Sequence, residues 1–170
     1  MNGLIFISGG GGAKESFILD AEFVNSLPTL KLLYIPIGLK RDIIGYDDCY
    51  DWINRTLSVH SKRKLEIEMW INLNNKSYRD ISLFGGIYIG GASNTYKFLD
   101  LLYRSNFIKI INQFVQKGGL LYGGSSGAVI LGKNIAITLD EKGGYKHENG
   151  LGLIGNYSIL CHYNNTQDSR

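Results

Sequence analysis

The chain alternates short apolar runs with stretches in which apolar positions recur at helical spacing. Runs rich in β-branched and aromatic residues predict buried strands at residues 4–8, 32–37, 65–72, 86–89, 119–122, 135–139 and 157–161. The clearest helix covers 106–117. There Phe107, Ile108, Ile110, Ile111, Phe114 and Val115 make one face, and Lys109, Asn112, Gln113, Gln116 and Lys117 the other. Gly118 and Gly119 stop it. A second helix starts at Asn94 or Thr95 and carries Phe98, Leu99, Leu101 and Leu102. Strands that are apolar throughout and separated by helices call for a mostly parallel sheet covered on both faces, because each parallel crossover lays a helix against the sheet. The expected fold class is therefore α/β, a three-layer α/β/α sandwich with a mostly parallel sheet, built as a single domain over 1–170.

Composition narrows the function classes. At 170 residues, 44% hydrophobic and 19% charged, the chain suits one globular core and not a disordered segment. Its net charge of +3 is scattered, with Lys62-Arg63-Lys64 the sole basic run, so no nucleic-acid partner is expected. No apolar stretch approaches the roughly 18 residues of a membrane span, and the N-terminus has no basic leader. A cytoplasmic protein with no membrane partner follows. Cys49 and Cys161 are too few for a disulfide framework and lack metal-ligand spacing, so neither metal nor cofactor is expected.

In a parallel sheet, functional groups gather where strands end and helices begin. Three glycine-rich segments hold such positions: 8–13, 90–95 and 123–127. The first fails the phosphate-loop pattern, since Ala13 stands where the glycine before the lysine belongs and Glu15 where Ser or Thr belongs. It reads as a turn lining a cleft. The third, Gly123-Gly-Ser-Ser-Gly127, satisfies Gly-x-Ser-x-Gly with Ser125 at its centre, between a predicted strand and a predicted helix. Glycines two residues either side of the nucleophile let strand and helix approach. Centred on Ser126 the pattern fails at Ala128. The alternative is a glycine-serine turn in which either serine caps the helix.

A serine nucleophile needs a base, and the base needs an orienting carboxylate. His60 and His147 lie in polar segments, whereas His162 follows the apolar run 157–161 and so emerges at a predicted strand end. Between Ser125 and His162 the acids are Asp140, Glu141 and Glu148. Asp140, at the end of the predicted strand 135–139, is favoured, with Glu141 as the alternative.

The order Ser, Asp, His and its setting resemble the aspartyl dipeptidase (dipeptidase E) and cyanophycinase family of serine peptidases. Its Gly-x-Ser-Ala-Gly-Ala elbow is matched by Gly123-Gly-Ser-Ser-Gly-Ala128, its acid by Thr138-Leu-Asp140, and its His-Phe or His-Tyr pair by His162-Tyr163. A Gly-Gly-Gly-Asn-Thr-Phe-like segment is matched by Gly90-Gly-Ala-Ser-Asn-Thr-Tyr96, with Ser93 in place of the third glycine. The resemblance implies a flavodoxin-like or class I glutamine amidotransferase-like sandwich and a serine hydrolase that cleaves small peptides through Ser125, His162 and Asp140. An acyl-enzyme forms, with an Asp-Xaa dipeptide as the expected substrate. Backbone N–H groups of Ser126 and Ser93 would serve the oxyanion, and Gly91, Ala92, Asn94 and Gly124 would line the cleft. An acidic substrate side chain would need a cation, for which Lys133, Lys142 and Arg104 are candidates.

The chain stops eight residues after His162, whereas the resembled family continues through further strands and helices. The expectation is a chain lacking that C-terminal part, with an unpaired sheet edge open to self-association. A catalytically impaired member that binds a ligand or partner is the alternative function. A glutamine amidotransferase is disfavoured because the elbow carries Ser125 and not Cys, and an ordinary α/β-hydrolase because the span from Ser125 to His162 is so short.

Overall fold

A computed structural model describes residues 3–39 and 45–163. The sheet strands are β1 (Ile5–Ser8), β2 (Lys31–Ile35), β3 (Glu66–Met69), β4 (Gly86–Ile89) and β5 (Leu120–Gly124). They are all parallel, in the order β1-β5-β4-β2-β3. The helices are α1 (Phe17–Ser26), α2 (Tyr46–Ser58), α3 (Tyr78–Ile81), α4 (Thr95–Arg104), α5 (Phe107–Gln116) and α6 (Ser126–Leu131). Successive strand residues point to opposite faces, and both faces are apolar here. Leu33, Ile35, Ile87, Ile89 and Leu121 join the core cluster that takes in α4, α5 and α6. Leu32, Tyr34, Tyr88 and Tyr122 join the cluster that takes in α1 and α2. The result is the expected α/β/α sandwich.

The helix at 106–117 forms as predicted: Phe107, Ile110, Ile111, Phe114 and Val115 are buried. Asn94 settles the start of α4 by accepting from the Lys97 N–H at 2.8 Å, which satisfies one of the helix's orphan donors.

Two predicted strands are absent. Residues 135–139 make only the flank of an isolated antiparallel bridge between Asn134 and Asn149, then turn as the Thr138 N–H bonds Ile135 O. Residues 157–161 form no strand. Of these two runs only Ile135 and Cys161 pack against the α4–α6 core, whereas Ile137, Leu139 and Tyr157 are exposed. A short apolar run does not by itself distinguish a strand from a loop that anchors one or two side chains on the core.

The α1–α2 face of the sheet carries an aromatic ladder set by strand register. Phe6 lies opposite Tyr122, Tyr122 opposite Tyr88, and Tyr88 opposite Tyr34. The Tyr88 and Tyr122 rings stack at 4.4 Å. Beneath them Asp20 is buried, accepting from the Tyr122 hydroxyl at 2.6 Å and from the Ser16 hydroxyl at 2.7 Å. A buried carboxylate depends on such donors. Tyr122→Phe leaves Asp20 short of one, and is expected to lower unfolding free energy by about 1–3 kcal/mol in urea denaturation. No loss of stability would show that this hydrogen bond carries no weight.

Candidate active site

The site lies at the carboxyl ends of β1, β5 and β4. Ser125 joins β5 to α6 with φ 53° and ψ −123°, a left-handed conformation that non-glycine residues rarely adopt. Such strain persists only where surrounding structure over-determines it. Here the Ser125 N–H bonds Ser8 O at 2.9 Å, while Ser125 O accepts from Ala128, Val129 and the Cys161 thiol.

The flanking glycines are steric requirements. A Cβ on Gly127 would lie 2.3 Å from Ile89 O, and one on Gly123 would lie 2.9 Å from the Ala128 backbone. Backbone cannot step aside as a side-chain tip can, so α6 meets β4 and β5 only because both residues are glycine.

His162 is the histidine that meets Ser125. Its Nε2 lies 2.7 Å from Ser125 Oγ, so with the ring proton on Nδ1 the hydroxyl donates to Nε2. The His162 N–H bonds Gly9 O at 2.9 Å, and the ring packs on Gly10, where a Cβ would fall 2.2 Å from Cε1. The first glycine-rich turn therefore seats the imidazole. His60 instead packs edge-on against Phe17, and His147 stacks on Tyr103.

Asp140 goes elsewhere. Because 135–139 turns rather than extending as a strand, the Asp140 carboxylate reaches the start of α4 and accepts from the Thr95 N–H at 2.7 Å. Asn94 ties down the same loop by donating to Glu141 O at 2.9 Å. Among the described residues no carboxylate hydrogen-bonds His162.

One of the two N–H groups expected to serve an oxyanion is already engaged. The Ser93 N–H is taken by Gly38 O at 2.9 Å. The N–H groups of Ser126 and Gly91 donate to no acceptor among the described residues, and Gly91 borders Ser125: a Cβ there would lie 3.7 Å from Ser125 Oγ. The Ser126 side chain is buried, and its hydroxyl donates to Ala92 O at 3.4 Å.

A cleft of about 550 Å³ opens over Ser125 and His162. Gly91, Ala92 and Gly124 line it, while Asn94 faces a separate depression of about 220 Å³. Tyr34, Leu39, Trp52 and Tyr88 supply an apolar wall that the motifs gave no hint of, since an aromatic residue in a buried strand looks like core. None of Lys133, Lys142 and Arg104 lines the cleft; Lys142 pairs with Glu148 and Arg104 with Asp100. Burial pushes the Cys161 thiol up to about 11, so at neutral pH it stays protonated and donates to Ser125 O. Among the described residues no group of three or more His, Cys, Asp or Glu could hold a metal ion, and no helix is long and apolar enough to cross a membrane.

Fold and site together define a class: a parallel α/β/α protein that presents a strained serine on a strand-to-helix elbow to a histidine. The chain belongs to peptidase family S51, whose profile matches residues 4–170. This is consistent with the resemblance carried by the elbow, Asn-Thr and His-Tyr segments. Among solved structures it is similar to a candidate peptidase E from Listeria monocytogenes EGD-e, with a TM-score of 0.74 and 25% identity over 98% of this chain and 82% of that one. A peptidase from an acI-B1 actinobacterium shares the fold at a TM-score of 0.71 and 18% identity, over 95% of this chain and 69% of that one. No curated protein sequence gives a significant match.

The elbow's steric requirement is open to test. Gly127→Ala drives a methyl into the Ile89 carbonyl and is expected to cost about 1–3 kcal/mol or more of stability, as overpacking does. A melting temperature equal to that of the unmodified chain would show that α6 can move back from β4.

Proposed function

We propose that this chain is a serine-type peptidase acting on small peptides, with Ser125 as nucleophile and His162 as general base. The observation that carries the reading is the 2.7 Å contact between Ser125 Oγ and His162 Nε2 on a strained elbow. As Oγ attacks the scissile carbonyl, His162 Nε2 accepts its proton, and the carbonyl oxygen becomes an oxyanion. The N–H groups of Ser126 and Gly91, without acceptors among the described residues, would receive that charge. His162 then returns the proton to the leaving amine, and water attacks the acyl-enzyme by the same route in reverse.

Asp140 is, in this reading, a positioning residue. Its bond to Thr95 anchors α4, and with it the turn that carries Gly91. An Asp-Xaa dipeptide is the substrate that kinship with the dipeptidase E family favours. The alternative, a catalytically impaired member that binds without turnover, draws support from the lack of a described carboxylate on His162.

Labelling with a fluorophosphonate separates these readings. The unmodified chain is expected to label and Ser125→Ala not to; His162→Ala slows labelling by about 10²- to 10⁴-fold. Asp140→Ala is expected to label within about threefold of the unmodified chain while losing about 0.5–2 kcal/mol of stability, the usual cost of a lost helix cap. Labelling of Ser125→Ala at the unmodified rate would refute the nucleophile assignment. A labelling rate in Asp140→Ala as low as in His162→Ala would make Asp140 the triad acid. Release of free Asp from Asp-Leu tests the substrate.

A further inference from the structure

The base of this site is carried by a loop. Residues 157–161 form no strand, and among the described residues no carboxylate hydrogen-bonds the His162 ring. His162 itself has φ 53°, a left-handed conformation that a non-glycine residue holds only where its surroundings over-determine it. Upstream, the loop is anchored where Tyr157 O accepts from the Lys133 N–H at 2.8 Å and Ser158 Oγ from the Asn134 N–H at 3.2 Å. Downstream, the His162 N–H bonds Gly9 O at 2.9 Å. Between these anchors, the hydrogen bond that the described residues supply is that of the Cys161 thiol.

Cys161 is half-buried and packs against the α4–α6 core. Its thiol donates to Ser125 O at 3.2 Å, the carbonyl of the same residue whose hydroxyl meets His162 Nε2 at 2.7 Å. Two consecutive residues thus grip one. In an extended chain consecutive side chains point apart, and the left-handed backbone at His162 accompanies their convergence on Ser125. Burial pushes the thiol up to about 11, so it remains a donor throughout the range in which an imidazole serves as a base. Ser125 O also accepts from the Ala128 and Val129 N–H groups. Loss of the thiol therefore leaves the elbow bonded and releases only the loop.

We infer that Cys161 is a positioning residue: its thiol, by donating to the Ser125 carbonyl, fixes the loop against the elbow and holds His162 Nε2 within proton-transfer distance of Ser125 Oγ. This rests on the peptidase reading above and deepens it. The thiol touches no reacting atom and acts through the imidazole. It restrains where the ring sits, which is the task an orienting carboxylate performs in a triad. A thiol is a weak donor, so its loss costs little global stability, whereas misplacing a base by about 1 Å costs up to about 10²-fold in rate.

Two substitutions separate donation from packing. Cys161→Val keeps the apolar contact and removes the donor, while Cys161→Ser keeps a donor and weakens the apolar contact. In fluorophosphonate labelling of Ser125, Cys161→Val is expected to lower the maximal rate about 10-fold, with the half-saturating concentration within about twofold. Cys161→Ser should stay within about threefold of the unmodified chain. A role confined to packing predicts the opposite order, with Cys161→Ser the more damaged. A Cys161→Val rate equal to that of the unmodified chain, or a Cys161→Ser rate as low as that of Cys161→Val, would overturn the inference. Melting temperatures ensure that folded proteins are compared, and Cys161→Ala replaces Cys161→Val if the latter does not fold.

Nitrogen NMR of the His162 ring reads the same contact without turnover. Above the imidazole pKa, a ring whose Nε2 accepts from Ser125 carries its proton on Nδ1. The unmodified chain and Cys161→Ser are expected to keep that tautomer, and Cys161→Val to shift toward the Nε2–H form usual for an untethered histidine. Such a shift supports the positioning role even if no chain labels, an outcome that would instead refute the peptidase reading. An unchanged tautomer in Cys161→Val overturns the inference.

Discussion

The close approach of α6 to the end of β4, where Gly127 leaves no room for a single methyl against Ile89 O, is the contact on which the site depends. It sets the angle at which the chain leaves β5, and that angle forces Ser125 into a left-handed conformation. The strain, of order 1–3 kcal/mol for such a residue, is offset by bonds that converge on Ser125 from β1, α6 and the Cys161 thiol. The same geometry presents Ser125 Oγ to His162 and leaves the Ser126 N–H without an acceptor among the described residues. Strain, exposure of the hydroxyl and a free donor are thus three consequences of one packing constraint.

The remaining parts of the site come from chain segments far apart in sequence. The turn after β1 seats His162, the turn after β4 brings Gly91 alongside Ser125, and Asp140 and Asn94 bind the 138–141 loop to the start of α4. Each junction uses backbone polar groups as its fixed points: Gly9 O, Gly38 O and the Thr95 N–H. Positions held this way shift little when exposed side chains vary. The cleft wall, by contrast, is built from ring faces of the aromatic ladder and Trp52, and there the side chains themselves decide which substrate fits.

Much of this could be read from residue pattern. The five strands of the sheet and the helix over 107–116 follow from apolar periodicity, and the elbow follows from glycine spacing around Ser125. His162 stands out by its place after an apolar run, although that run is a loop that meets the core through Cys161. The remainder was not legible because one pattern along the chain can have two meanings in three dimensions. Residues 135–139 are apolar enough for a strand, but they turn, and the Asp140 carboxylate accepts from the Thr95 N–H. Ser93 is expected to offer its N–H to an oxyanion, but that N–H is bonded to Gly38 O, a partner that sequence does not announce. Tyr34 could not be singled out at all, because its position in the cleft depends on the register of β2 against β4.

The central claim is that the elbow makes a nucleophile of Ser125 and a structural residue of its neighbour Ser126. The most direct measurement is tandem mass spectrometry of the chain after reaction with a fluorophosphonate, locating the adduct within the peptide that spans both serines. The account predicts a single adduct on Ser125. An adduct on Ser126, or none on either serine, would contradict it.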